Sequence, residues 1–195
     1  RKEMNKYLLD VYNPFKVEFL YGKGSTLFDK KGNDYIDFTS GIGVSCLGHG
    51  NKKLVETISK QAKKFLHLSN IYPINTQEEC AKKVAALSGY KNMQGFFCNS
   101  GAEANETAIK FIRKNIKSKG IKKHNIINLE KSFHGRTIAN LNATGQKDKQ
   151  LGFEPFPNEF IYAKNLEDTK NKIDKNSVAV MIELVQGEGG VKAFD

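Results

Sequence analysis

Residues Gly95–Leu129 read GFFCNSGAEANETAIKFIRKNIKSKGIKKHNIINL. The β-prone run Gly95–Cys98 predicts a strand, Asn99-Ser100-Gly101 breaks it, and Ala102–Lys117 carries an apolar stripe at helical spacing. After Gly120 the run Asn125–Leu129 predicts a second strand. Strand and helix keep alternating: a polar loop, a strand over Phe160–Tyr162, a helix over Leu166–Ile173 and a strand over Val178–Leu184. Such alternation means an α/β fold, with a mostly parallel sheet and helices on both of its faces.

Upstream, Thr26–Phe28 and Tyr35–Phe38 are β-prone runs joined by the turn chemistry of Asp29-Lys30-Lys31-Gly32-Asn33, which predicts a hairpin. Ser40–Gly50, SGIGVSCLGHG, is too rich in glycine for a helix and marks a junction. Two amphipathic helices follow. One carries Leu54, Val55, Ile58, Ala62, Phe65 and Leu66 on a single stripe; the other starts at a capping-box pattern, Thr76 with Glu79, and stops at Gly89. The expected organisation is an N-terminal β-containing segment, 1–45, and a larger α/β domain beginning at 46 and running to 195. Arg1 in place of an initiator Met, and Asp195 directly after a glycine turn, lead us to expect a fragment of a longer protein.

The 195 residues are 39% apolar and 27% charged, ordinary globular composition. The longest apolar run, Val178–Ile182, is far too short for a bilayer, so no membrane partner is expected. The net charge is +10, yet only three of the 31 basic residues are Arg and the lysines are scattered, a pattern of solvated surface. A non-catalytic basic module binding anions or nucleic acid is the alternative of another class, and its binding would weaken steeply with salt. Cys46, Cys80 and Cys98 are odd in number and lack a C-x-x-C pattern, which argues against disulfides and zinc and fits a reducing cytoplasm. His49, His67, His124 and His134 show no metal-ligand spacing. Gly41-Ile42-Gly43 lacks the third glycine of a dinucleotide fingerprint, and Gly43–Gly48 continues with His49 where a P-loop has Lys.

In an open α/β sheet chemistry sits beyond the carboxyl ends of the strands. Three such ends are unusual here. At the first, Ser100 caps the helix and Glu103 closes the box, leaving the Gly101 and Ala102 amides to face an anion such as phosphate. The second carries Ser132-Phe133-His134-Gly135-Arg136-Thr137: an aromatic face for a flat ring beside a guanidinium that grips a carboxylate. At the third, Glu183, Gln186 and Glu188 precede a glycine turn, polar groups that a buried strand end holds only with partners.

NSGAEANETAIK (Asn99–Lys110), SFHGRT (Ser132–Thr137) and ELVQGEGG (Glu183–Gly190), in that order, together with SGIGVSCLGHG, resemble the class III pyridoxal-phosphate aminotransferases, and within them the acetylornithine branch. The resemblance spans the chain but only about the first half of a family member. It implies the fold type I transferase architecture, with residues 1–45 belonging to the small domain and 46–195 to the large one, and pyridoxal 5'-phosphate as cofactor. Its phosphate falls to Ser100, Gly101 and Ala102, its ring to Phe133 with His134 beside it, and its further side to Glu183 and Gln186. Arg136 is implied to hold the substrate α-carboxylate, Glu188 to gate an arginine that receives the 2-oxoglutarate side chain, and Tyr12 to touch substrate. Ile42 stands where ornithine aminotransferases carry Tyr, and an aliphatic residue leaves room for an N-acetylated tail.

The implied reaction moves the δ-amino group of N2-acetyl-L-ornithine to 2-oxoglutarate in arginine biosynthesis, with succinylornithine, ornithine or 4-aminobutyrate as alternative donors. The family's Asp-Glu-x-Gln segment and its cofactor-binding lysine are expected beyond Asp195. No lysine here matches that context, so none is assigned as catalytic and the segment alone is expected to be inactive. The resemblance further implies a homodimer, with Leu68–Thr76 contributing to the neighbour's site.

Overall fold

The computed structural model describes residues 7–194. Phe19–Lys23 (β1), Thr26–Asp29 (β2) and Asp34–Ile36 (β3) form an antiparallel sheet in that order. The β2–β3 turn is set by Asp29, whose carboxylate accepts the Lys31 and Asn33 amides at 2.8 and 2.9 Å. The expected hairpin is therefore present, with β1 as an additional strand. Ser40–Gly43 (α1) is a single turn with non-helical dihedrals, Gly41 and Ile42 lying at φ 61° and 60°. Lys52–Ala62 (α2) starts where the Asn51 side chain accepts the Leu54 amide at 3.1 Å.

The chain divides into two compact units, Arg1–Ile74 and Asn75–Asp195. The second begins with Asn75–Ser88 (α3), one residue ahead of Thr76, which thus lies inside the first turn and does not cap it. Gly101–Ser118 (α4) leads to Asn125–Leu129 (β4), and Phe160–Ala163 (β5) and Ser177–Met181 (β6) flank β4 in the order β5-β4-β6, all parallel. Leu166–Lys172 (α7) connects β5 to β6. The stretch read as one polar loop contains two short helices, Ile138–Ala143 (α5) and Lys147–Gln150 (α6), and a two-residue pair, Val185–Gln186 (β7) with Lys192–Ala193 (β8), closes the chain.

The sheet centres on β4, where Ile126 and Ile127 are fully buried, each worth about 1.5–3 kcal/mol of apolar transfer. Neighbouring strand residues point to opposite faces. Ile127 and Leu129 pack with Ala163, Ile161 and Leu166, the last from α7, while Asn128 on the other face donates to the Ala143 carbonyl of α5. Both faces of β4 are thereby covered, as a parallel strand requires.

Two expected strands differ. Gly95–Cys98 forms none: a strand exists through its ladder, no neighbouring strand pairs with it among the described residues, and Phe96 and Phe97 stand exposed. The last strand ends at Met181 and not at Leu184, so Glu183 lies in the turn beyond the sheet. No helix among the described residues is long and apolar enough to cross a membrane, and all three cysteines are free.

Candidate functional site

The site begins at the N-terminus of α4. Ser100, at φ −153° and ψ 162°, is extended and its Oγ accepts the Glu103 amide at 3.1 Å, while Glu103 reaches back to accept the Asn99 amide at 2.6 Å. This reciprocal box matches the reading of the sequence. The helical ladder starts with Ala104 N–H donating to the Ser100 carbonyl, so Gly101 and Ala102 precede it as orphan donors at the positive end of an 18-residue helix. Apart from its chain neighbours and the backbone of its own helix, no atom comes within 4 Å of where a Cβ would stand on Gly101.

The loop after β4 is fixed residue by residue. The Phe133 amide donates to Glu183 Oε2 at 3.0 Å, and the His134 amide to Thr144 Oγ1 at 3.0 Å. The His134 carbonyl accepts from Asn105 Nδ2 at 2.8 Å, and Asn140 Nδ2 donates to the Ala102 carbonyl at 2.7 Å. Thr137 donates to Glu106. Gly135 sits at φ 131°, and a Cβ there would lie 3.0 Å from Ala102 Cβ and 3.1 Å from Asn140, so the loop approaches α4 as closely as only glycine permits.

These bonds leave an open cleft of about 430 Å3, lined by Gly101, Ala102 and Asn105 from α4 and by Phe133 through Arg136 from the loop. The Arg136 guanidinium carbon lies 6.0 Å from the Phe133 ring centre. His134 is buried and its Nε2 has no hydrogen-bond partner; burial pushes its imidazole pKa below the ordinary value. The first residues of α4, a flat aromatic, an imidazole and a guanidinium share this cleft. Helix-start amides suit an anion, an aromatic face suits a flat ring, and a guanidinium suits a carboxylate.

The third expected loop bonds to the backbone that carries the cleft. Glu183 is not in its wall and acts on Phe133 through the backbone; burial pushes its carboxyl above the usual glutamate range, opposed by the Phe133 amide, with Glu188 adding to the upward push. Gln186 is buried and donates to the Glu130 carbonyl at 3.0 Å, tying β7 to the end of β4. Glu188 pairs with Lys149, whose ammonium lies 5.8 Å from the Phe133 ring centre. Tyr12 and Ile42 belong to the Arg1–Ile74 unit, where both side chains are exposed. Sequence reasoning missed Asn105, Asn140, Thr144 and Lys149. Only Asn105, four residues into the helix after Gly101, was on the face its spacing could have flagged. No group of three or more potential metal ligands occurs among the described residues.

The model of the family described as aminotransferase class-III matches residues 10–195. The chain belongs to the class-III aminotransferases. This aminotransferase chain is 50% identical over 192 residues to the acetylornithine aminotransferase of Wolinella succinogenes, a match covering 97% of the chain and 49% of that protein. Among solved structures, the N-acetylornithine aminotransferase of Stenotrophomonas maltophilia is 32% identical with a TM-score of 0.75, covering 94% of the chain and 46% of its own. The ornithine aminotransferase of Toxoplasma gondii matches at 27% identity and a TM-score of 0.87, covering 96% and 45%. The chain spans about half the length of the curated relatives it matches. The α/β fold read from the sequence is thus that of the aminotransferases, and the loop and α4 that line the cleft lie within the matched region.

Proposed function

We propose that this chain supplies the phosphate cradle, ring cover and carboxylate clamp of a pyridoxal 5'-phosphate-dependent aminotransferase, which moves the δ-amino group of N2-acetyl-L-ornithine to 2-oxoglutarate in arginine biosynthesis. The observation that carries the reading is the shared cleft, lined by Gly101 and Ala102 at the start of α4 and by Phe133 and Arg136 on the loop that Asn105 and Asn140 hold in place. The residues fit the cofactor: open space at Gly101 admits a phosphate, and the unpartnered Nε2 of buried His134 calls for a polar neighbour.

When bound, pyridoxal phosphate supplies an electron-accepting ring conjugated to the amine nitrogen. Gly101 and Ala102 hold its phosphate with backbone N–H groups, assisted by the helix dipole. Phe133 covers the ring, kept in position by the Glu183 carboxylate on its amide. Arg136 would bind the α-carboxylate of the donor, at the opposite end of the molecule from its δ-amino group, and so orient that amino group toward the ring. No residue of this chain is assigned as the base.

Ile42, aliphatic and exposed, supports an acylated donor. The three free cysteines support a reducing cytoplasm. We assign residues 1–45 to the small domain and the rest to the large one, and we place Leu68–Thr76 at the interface of a homodimer. The test is amine competition on a complete protein carrying this chain. Preference for N-acetylornithine over succinylornithine, ornithine and 4-aminobutyrate is expected; a preference for any of the others replaces the donor, and a protein that retains no pyridoxal phosphate overturns the reading.

A further inference from the structure

Phe133 contributes the one benzene ring among the residues that line the cleft, so the plane of that ring decides how a flat ligand lies there. Its amide is held by Glu183, but a backbone bond does not set the torsions of a side chain. A second tether acts on the ring itself. The Lys149 ammonium lies 5.8 Å from the ring centre and pairs with Glu188, so one side chain reaches both the loop after β4 and the turn between β7 and β8.

The base of this arm is fixed. Gln150, the next residue of α6, has its Nε2 2.9 Å from the Thr144 carbonyl, 3.2 Å from that of Leu141 and 3.0 Å from the Tyr162 hydroxyl, which ties α6 to the end of α5 and to β5. The far end is close-packed as well. A Cβ on Gly189 would stand 2.7 Å from the Lys131 carbonyl, so the turn that carries Glu188 lies against the loop after β4. Among the described residues of the Asn75–Asp195 unit, Lys172 pairs with Asp168 inside α7, whereas Lys149 and Glu188 join parts of the chain 39 positions apart. Their side chains are 33% and 40% exposed, and a pair so exposed contributes little to stability. What it does contribute is placement.

We propose that Lys149 is a positioning residue of this cleft: held between Glu188 and the Phe133 ring, it clamps the β7–β8 turn to the loop after β4 and sets the ring against which a flat ligand packs. The inference rests on the reading of the cleft as a pyridoxal phosphate site, and it adds a residue that neither lines the cleft nor belongs to a motif. The two tethers of Phe133 are coupled: Glu188 adds to the upward push on the Glu183 carboxyl, and Lys149 beside Glu188 offsets that charge.

The test uses the complete enzyme freed of cofactor, with Lys149→Met, which keeps the apolar stem and removes the charge, Lys149→Arg, which keeps the charge, and Phe133→Leu alone and combined with Lys149→Met. Lys149→Met should raise the Kd for pyridoxal 5'-phosphate about fivefold, Lys149→Arg should hold it within about twofold, and melting temperatures without cofactor should stay within about 3 °C of the parent. In the Phe133→Leu background Lys149→Met should change Kd by less than about twofold, because no ring is left to set. An equal fivefold loss there would mean that the lysine acts as plain charge on an anion, and it overturns the proposal, as does an unchanged Kd in Lys149→Met. Amide hydrogen exchange gives a readout independent of the ligand. The Phe133 amide, bonded to Glu183, and the Val191 amide, bonded to the Gly187 carbonyl, should exchange faster in Lys149→Met and recover in Lys149→Arg. Unchanged exchange overturns the clamp whatever the cleft binds; faster exchange in an enzyme with no affinity for pyridoxal 5'-phosphate supports the clamp and overturns the reading of the cleft instead.

Discussion

Asn105 Nδ2 donates to the carbonyl of His134 at 2.8 Å, which makes the first turns of α4 and the loop after β4 one mechanical unit. The bond joins residues 29 positions apart, and the Asn140 bond to Ala102 closes the same junction from the other side. Replacing Asn105 by Ala leaves the His134 carbonyl without this donor, at a cost of about 1–2 kcal/mol in stability. Because Gly101 and Ala102 line the same cleft, pyridoxal phosphate retention should fall with it. Thermal melting and cofactor titration of the complete enzyme read both, and a variant that melts lower yet retains cofactor as tightly as the parent would separate the junction from the cradle.

Gly135 meets two constraints at once. At φ 131° its backbone lies where side-chain-bearing residues are strained, and an added Cβ would press on Ala102 Cβ at 3.0 Å and on Asn140 at 3.1 Å. Gly135→Ala should therefore destabilise by about 2–3 kcal/mol, more than a glycine replacement in open space. Denaturant unfolding measures it, with an unchanged m-value showing that native stability and not the denatured state has moved.

The parts of this architecture legible in the sequence were those decided locally. The Ser100–Glu103 box needs only residues three apart, and β4 announces itself because its Ile and Leu side chains are covered on both faces. The failures are non-local. Gly95–Cys98 has the composition of a strand, but strand formation depends on a neighbour that composition does not encode. The pairing of Glu188 with Lys149 across 39 positions, and the reach of Asn140 to Ala102 across 38, depend on tertiary placement alone. Conversely, the glycine content of Ser40–Gly43 argues against a regular helix, in keeping with its non-helical dihedrals, while the left-handed path of Ser40 and Ile42 runs against local preference and has no signal in the residue types.

His134 gives stability a defined pH dependence. Burial lowers its folded pKa below the ordinary 6.5, so on acidification the unfolded chain takes up a proton before the native one does. The contribution is complete above pH 6.5 and is lost as pH falls through that value toward the depressed native pKa. Melting temperatures recorded from about pH 8 down to 5 should drop more steeply for the parent than for His134→Gln, which cannot titrate. Parallel curves for the two proteins would show that His134 is not buried as a neutral imidazole.

Arg136 and Lys149 both lie about 6 Å from the Phe133 ring centre, yet their chemistry sets them apart. Lys149 pairs with Glu188 outside the residues that line the cleft; Arg136 lines the cleft and carries a planar fork whose geometry matches a carboxylate. Arg136→Lys keeps the charge and removes the fork. If the guanidinium anchors the donor's α-carboxylate, KM should rise for N-acetylornithine by about 10- to 100-fold, the worth of a lost bidentate charged pair, and much less for 2-oxoglutarate. Cofactor absorbance should be unaffected, because the phosphate cradle at Gly101 and Ala102 lies on α4. Steady-state kinetics with each substrate varied in turn distinguishes this from a shared anchor: an equal rise in KM for 2-oxoglutarate would show that the same guanidinium also takes a carboxylate of the acceptor, and an unchanged KM for the amine would move the donor's carboxylate to another cation.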